Sequence, residues 1–171
     1  LWAARRLVRV FGTSPAMDIA QLLAREGVVL RSGASSKRQA LHTVADTAAR
    51  ALGVDETTVL HALLEREALG STGLGSGVAL PHARIEGLDR VVAVFVRLDN
   101  PVAYEAVDDR PVDLIFALFA PPSDGAGHLR ALAAASRALR SAEMRQQLRQ
   151  ARTADAVRAL FVRDVTPATA A

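Results

Sequence analysis

"GSTGLGSGVALPHAR", residues 70–84, is the stretch on which the reading of this chain turns. It places glycines 70, 73, 75 and 77, one proline and one of the four histidines between a helix-period segment ending at Leu69 and two apolar runs downstream. Gly70 stops the preceding helix, and "GVALPHAR" reads as a strand interrupted at Pro81. A strand that lacks a backbone donor lies at a sheet edge or ends there. The runs "VVAVFVRL" (91–98) and "VDLIFALFA" (112–120) are nearly continuous in apolar residues. Such runs are expected for strands covered on both faces, so these two are placed at the centre of a sheet.

Upstream, a short helix is expected around Asp18–Arg25, followed by an apolar "VVL" at 28–30. Ser36 caps a helix with an apolar face of Leu41, Val44, Ala45, Ala48 and Leu52, and Gly53 ends it. Asp55 caps a second helix through Leu69, with Val59, Leu60, Leu63 and Leu64 facing inward. Beyond the second apolar run, the loop "PPSDGAG" (121–127) leads into an alanine-rich helix from about His128 to Leu139. Two shorter helices follow, Ala142–Gln150 and one from a Thr153 cap to Val162. The alternation of helical and strand periods predicts one α/β domain over residues 17–165, with a flexible tail at 166–171.

The 171 residues, half of them hydrophobic, suffice for one such domain and not comfortably for two. There is no cysteine, so disulfides, thiolate metal sites and cysteine nucleophiles are excluded. The net charge of +3 comes from Arg5, Arg6 and Arg9; residues 17–171 carry 18 basic and 18 acidic side chains. A formally neutral body argues against nucleic acid as a partner. Residues 128–164 hold eight arginines against three acids, and residues 99–124 six acids against one arginine. Solvated faces account for such runs more often than a charged docking surface does. No segment has the roughly 18 apolar residues of a membrane-spanning helix, nor the long apolar region of a signal peptide. A cytoplasmic protein with no membrane insertion is therefore expected. Residues 1–16 are read as an N-terminal extension, disordered or derived from a start upstream of Met17; the alternative is a basic amphipathic arm that docks on a partner or membrane surface.

The glycine spacing fits neither G-x-G-x-x-G nor a phosphate loop, because no lysine follows. A glycine-rich turn still brings backbone N–H groups toward an anion, and Ser71, Thr72 and Ser76 add hydroxyls. Two residues join His82 in this reading. Arg66, on the helix leading into the loop, offers a guanidinium that grips phosphoryl oxygens in pairs. His128 lies where an apolar strand ends and a helix begins, the end of an α/β sheet where ligands bind. A helix N-terminus disfavours imidazolium, so His128 can donate one N–H while neutral. His42 and His61 fall within helices and are read as bystanders.

The segments "LEREALGSTGLGSGVALPHARIEGL" (64–88), "YEAVDDRPVDLIFALFAP" (104–121) and "GHLRALAAASRAL" (127–139) closely resemble the IIA domain of the bacterial phosphotransferase system. The likeness is to its mannitol/fructose superfamily, in particular the nitrogen-regulatory branch, and extends from Met17 to about Arg163. It implies a mixed, roughly five-stranded sheet with helices on both faces. It also implies that His82 takes a phosphoryl group from a small phosphocarrier of the HPr type, through Nε2. By the same resemblance Arg66 and His128 complete the active centre, Ser71 and Thr72 supply its loop hydroxyls, and neither metal nor cofactor is required. Partners of the regulatory branch include potassium-transport and sensor-kinase proteins. A sugar-uptake IIA, handing the group to a separate IIB protein, and a binding module never phosphorylated remain alternatives. The lack of a cysteine acceptor and of a membrane span favours the regulator.

Overall fold

The computed structural model describes residues 17–163, so the expected extension at 1–16 and tail at 166–171 lie outside the described residues. In chain order the elements are α1 (Ile19–Leu22), β1 (Leu23–Ser32), α2 (Lys37–Leu52), α3 (Glu56–Ala68), β2 (Gly73–Gly75), β3 (Val78–Ala79) and β4 (His82–Arg84). They continue with β5 (Val92–Val102), β6 (Val112–Ala120), α4 (Gly125–Leu139), α5 (Ala142–Gln150) and α6 (Ala154–Arg163). The strands form one mixed sheet in the order β1-β5-β6-β3-β2, with β4 also paired to β6. β1 runs parallel to β5, while β3 and β4 run parallel to β6. The two sets meet at the antiparallel β5–β6 pair.

The sixth strand is a matter of one proline. β3 and β4 lie end to end along β6, opposite Leu114–Ile115 and Leu118–Ala120. Pro81 separates them, because it has no N–H to give to the ladder. Its carbonyl accepts from Leu118 N–H at 3.0 Å, which keeps the chain beside β6 across the break. Counted as one interrupted strand, β3 and β4 restore the expected five.

β5 and β6 are the central strands, and alternate side chains serve opposite faces. Val94, Val96, Ile115 and Phe119 pack toward α2 and α3, where Leu41, Val44, Val59 and Leu63 are buried. Phe95, Leu114, Phe116 and Leu118 pack toward the other face, against Ala131, Ala135, Leu148 and Phe161 of α4–α6. The helix limits follow from local chemistry. Ser36 Oγ accepts from Gln39 N–H at 3.1 Å, Asp55 accepts from Thr58 N–H at 2.9 Å, and Gly53 takes a left-handed φ of 69°.

Several boundaries differ from the sequence reading; β5, expected at 91–98, runs on to Val102. The expected helix at 18–25 is one turn only; the chain turns at Leu23 into β1, whose first pairing is Leu23 with Ala93. The register shifts between Leu23 and Val28, and the guanidinium of Arg158 takes up the carbonyls of Leu23, Ala24 and Arg25. α4 begins at Gly125, three residues earlier than expected, because Asp124 accepts from Gly127 N–H at 2.9 Å. Like Arg158, Arg145 and Arg149 of the C-terminal helices and Arg97 of β5 hold the fold together. Arg97 donates to the carbonyls of Leu148 and Ala151 where α5 ends, Arg145 to those of Leu139 and Arg140 at the end of α4, and Arg149 pairs with Asp113 at 2.9 Å.

Candidate functional site

Three elements deliver side chains to one cleft at the carboxyl end of β6. His82 opens β4, opposite Leu118 and immediately after the Pro81 break. Arg66 comes from the last turn of α3, and His128 from the first turn of α4. The cleft encloses about 490 Å³ and is lined by Arg66, His82, Arg84 and His128 together with the apolar Leu69 and Leu129.

The hydrogen bonds of His82 fix its tautomer. Nδ1 lies 2.9 Å from the Leu80 carbonyl oxygen, which can only accept, so Nδ1 carries the proton. Nε2 is then the lone-pair nitrogen, and it accepts from Nε–H of Arg66 at 3.2 Å. A second donor of the same guanidinium, Nη1, reaches the Gly70 carbonyl at 2.9 Å. Ring centroids of His82 and His128 stand 5.4 Å apart, edge to face. His128 is 7% exposed, and its Nε2 is buried without a hydrogen-bond partner among the described residues. A buried orphan polar atom is costly, and its residue lines the same cleft as His82.

Both imidazoles are held below the ordinary value of 6.5. For His82, burial is the largest cause and the Arg66 charge adds to it, against the Leu80 hydrogen bond and the Glu67 carboxylate. For His128, burial again leads, followed by His82 and Arg84, with Asp124 opposing. Neutral His82 is the nucleophilic form. Titration followed by NMR is expected to give midpoints below 6.5 for both rings, and the reactive form persists as pH falls through 6.5. The stability linkage has the matching sign. Below pH 6.5 the unfolded chain takes up protons that these two rings do not, so their contribution, complete above 6.5, declines as pH falls toward the folded values. A midpoint for His82 at or above 6.5 would contradict this environment.

The family description "Phosphoenolpyruvate-dependent sugar phosphotransferase system, EIIA 2" matches residues 21–163. The chain belongs to the EIIA 2 family. It is similar to a nitrogen regulatory protein of Bradyrhizobium diazoefficiens, with 42% identity over 155 residues covering 91% of this chain and 100% of that one. Among solved structures it is similar to the nitrogen regulatory protein IIA-Ntr of Neisseria meningitidis, at 33% identity and a TM-score of 0.78, covering 84% of this chain and 98% of that one. A fructose-specific EIIA component of Haloferax volcanii is 33% identical, over 82% of this chain and 92% of that one.

Within this EIIA 2 domain, Arg66, His82 and His128 are brought together, and Ser71 and Thr72 are seated outside the cleft wall. Ser71 Oγ donates to the Tyr104 carbonyl at 2.8 Å and accepts from Gly73 N–H. Thr72, 5% exposed, gives its hydroxyl and its N–H to the Glu67 carboxylate. Gly73 is required by contact: a Cβ there would lie 2.7 Å from that of Ala106. His42 and His61 are on α2 and α3 and do not line the cleft. Arg84 is a cleft residue the sequence reading passed over. Its signal was available, since two positions after His82 on a strand returns to the same face. Among the described residues no three His, Asp or Glu side chains are grouped to hold a metal, and no helix is long and apolar enough to cross a membrane.

Proposed function

We propose that this EIIA 2 domain is a cytoplasmic phosphocarrier that accepts a phosphoryl group on Nε2 of His82 from an HPr-like phosphocarrier protein. The observation that carries the reading is the polarised ring: Nδ1–H is committed to the Leu80 carbonyl, and the Nε2 lone pair faces the cleft beside a guanidinium. In the transfer, that lone pair attacks phosphorus, the donor's N–P bond breaks, and its electron pair returns to the donor imidazole. Positive charge developing on the His82 ring is stabilised by the Leu80 oxygen. Arg66 neutralises the phosphoryl oxygens, and His128, largely neutral, donates a hydrogen bond from its ring. Ser71 and Thr72 support the site by fixing the loop rather than by touching the group.

Around the cleft, Leu69 is 85% and Leu129 69% exposed, an apolar rim suited to docking a carrier protein with its histidine at the centre. Similarity to nitrogen regulatory proteins favours a regulatory role, in which the state of His82 decides which partners bind, potassium-transport or sensor-kinase proteins among them. The second reading, a IIA component passing the group to a separate IIB protein in fructose-type uptake, is supported by the fructose-specific relative.

Incubation with phosphoenolpyruvate, enzyme I and the cognate HPr-like protein tests the carrier role. Acid-labile label on the wild type is the expected result, and an unlabelled protein refutes the reading. Arg66→Ala is expected to slow transfer by about 10²-fold, the scale of losing one charged oxyanion partner, with an unchanged unfolding midpoint; normal transfer kinetics would remove its assigned role. Affinity capture with His82→Ala against His82→Asp separates the two roles: recovery of only a sugar-specific IIB protein would overturn the regulator.

A further inference from the structure

The chain has a single lysine, and it does not serve a solvated face. Lys37, in the first turn of α2, places Nζ 2.9 Å from the carboxylate of Glu67 and 4.6 Å from the centroid of the Tyr104 ring. Glu67 is in the last turn of α3, with its side chain only 5% exposed. Oε2 takes the lysine and the N–H of Thr72 at 3.1 Å, while Oε1 accepts from the hydroxyls of Thr72 and Tyr104. Tyr104 is itself 1% exposed, and burial followed by the Glu67 charge pushes its phenol well above the ordinary value, so it stays a donor. Four segments therefore meet on one carboxylate: the start of α2, the end of α3, the glycine loop and the stretch before β6.

Such a cluster is poorly explained by stability alone. Withdrawing a carboxylate from water carries a desolvation cost that attraction to a partly exposed ammonium returns only in part, and apolar contacts would serve as well. What a fully bonded buried ion adds is a single fixed geometry. Glu67 adjoins Arg66 in the turn where a helix ordinarily frays, and a guanidinium on a long stem has many rotamers to lose. The loop fixed by Thr72 also runs on to the site, because Leu80 N–H bonds the Thr72 carbonyl at 2.9 Å and Leu80 O holds the His82 ring.

We propose that Glu67 is a positioning residue: its buried carboxylate, gripped by Lys37, Thr72 and Tyr104, holds the last turn of α3 so that Arg66 meets Nε2 of His82. The proposal rests on the phosphocarrier reading for its kinetic consequence, but not for its structural one. It is tested in the unphosphorylated protein by ¹⁵N NMR of the Arg66 Nε–H and His82 Nε2 signals, and separately by single-turnover phosphorylation from the HPr-like donor. In Glu67→Gln the Arg66–His82 hydrogen bond is expected to be lost. The maximal transfer rate falls about 10-fold, part of what removing Arg66 itself would cost, and the donor concentration for half-maximal rate changes less than twofold. Tyr104→Phe, which removes one of the contacts and keeps the ring under Lys37, covers the case in which Glu67→Gln does not fold; it loosens the same hydrogen bond with a smaller loss of rate. An intact Arg66–His82 bond in the folded variants overturns the proposal. So does an intact bond with a lowered His82 titration midpoint, since Glu67 would then act by its charge alone. A wild type that takes no label refutes the carrier reading and leaves the NMR result to decide this one.

Discussion

Replacing His82 with glutamine is expected to reduce phosphoryl acceptance by at least about 10⁴-fold, the scale seen when a nucleophile is removed outright, while the domain remains folded. The loss is large because nothing nearby can take over. His128 borders the same cleft, but its Nε2 is buried and has no guanidinium hydrogen-bonded to it as Arg66 is to His82. The fold survives because His82 is only half-buried on a three-residue edge strand, and the ladder to β6 uses its backbone and not its ring. Acid-labile label after incubation with the donor chain measures the effect, and circular dichroism controls for folding. Label on His82→Gln equal to that of the wild type would place the acceptor elsewhere.

Phe161→Ala is expected to produce the largest loss of stability. The ring is fully buried between α6 and the sheet, edge-on to Phe116 at 5.3 Å and Phe95 at 6.2 Å. Truncation leaves a cavity that two aromatic neighbours in the central strands cannot close, a change worth about 3–5 kcal/mol. For a domain of this size that lowers the thermal midpoint by roughly 10–15 °C. Val162→Ala, next in the chain but 54% exposed, serves as the control and should stay within about 0.5 kcal/mol. Similar midpoints for the two variants would mean that α6 contributes little to the core.

Where sequence and structure agree, the signal was local. Ser36, Gly53 and Asp55 act on backbone groups within four positions of themselves, and the apolar density of 91–98 and 112–120 needs no partner to be read. The start of β1 was illegible for the opposite reason: strand geometry at Leu23 depends on Ala93 in β5, and the carbonyls freed there are met by Arg158, 135 positions along the chain. The site divides in the same way. His82 stood out by its glycine and proline neighbours, and Arg66 and His128 through the family resemblance and their places at helix ends. Glu67, by contrast, sits in a run "EREA" that reads as a solvated helix face. Its burial becomes apparent only when Tyr104, 37 positions away, is folded against it. Tyr104 also engages Ser71 through its backbone carbonyl and Thr72 through its hydroxyl.

The Arg66–His82 hydrogen bond has one further consequence on the proposed route. The lone pair on Nε2 that accepts from Arg66 is the same orbital that must form the bond to phosphorus, so resting contact and loaded state exclude each other. An arriving phosphoryl dianion has to draw the guanidinium off the ring and onto its own oxygens. The bare histidine is therefore covered by the residue that later secures its cargo, and a partner that tells the two states apart need only sense where one arginine side chain has swung.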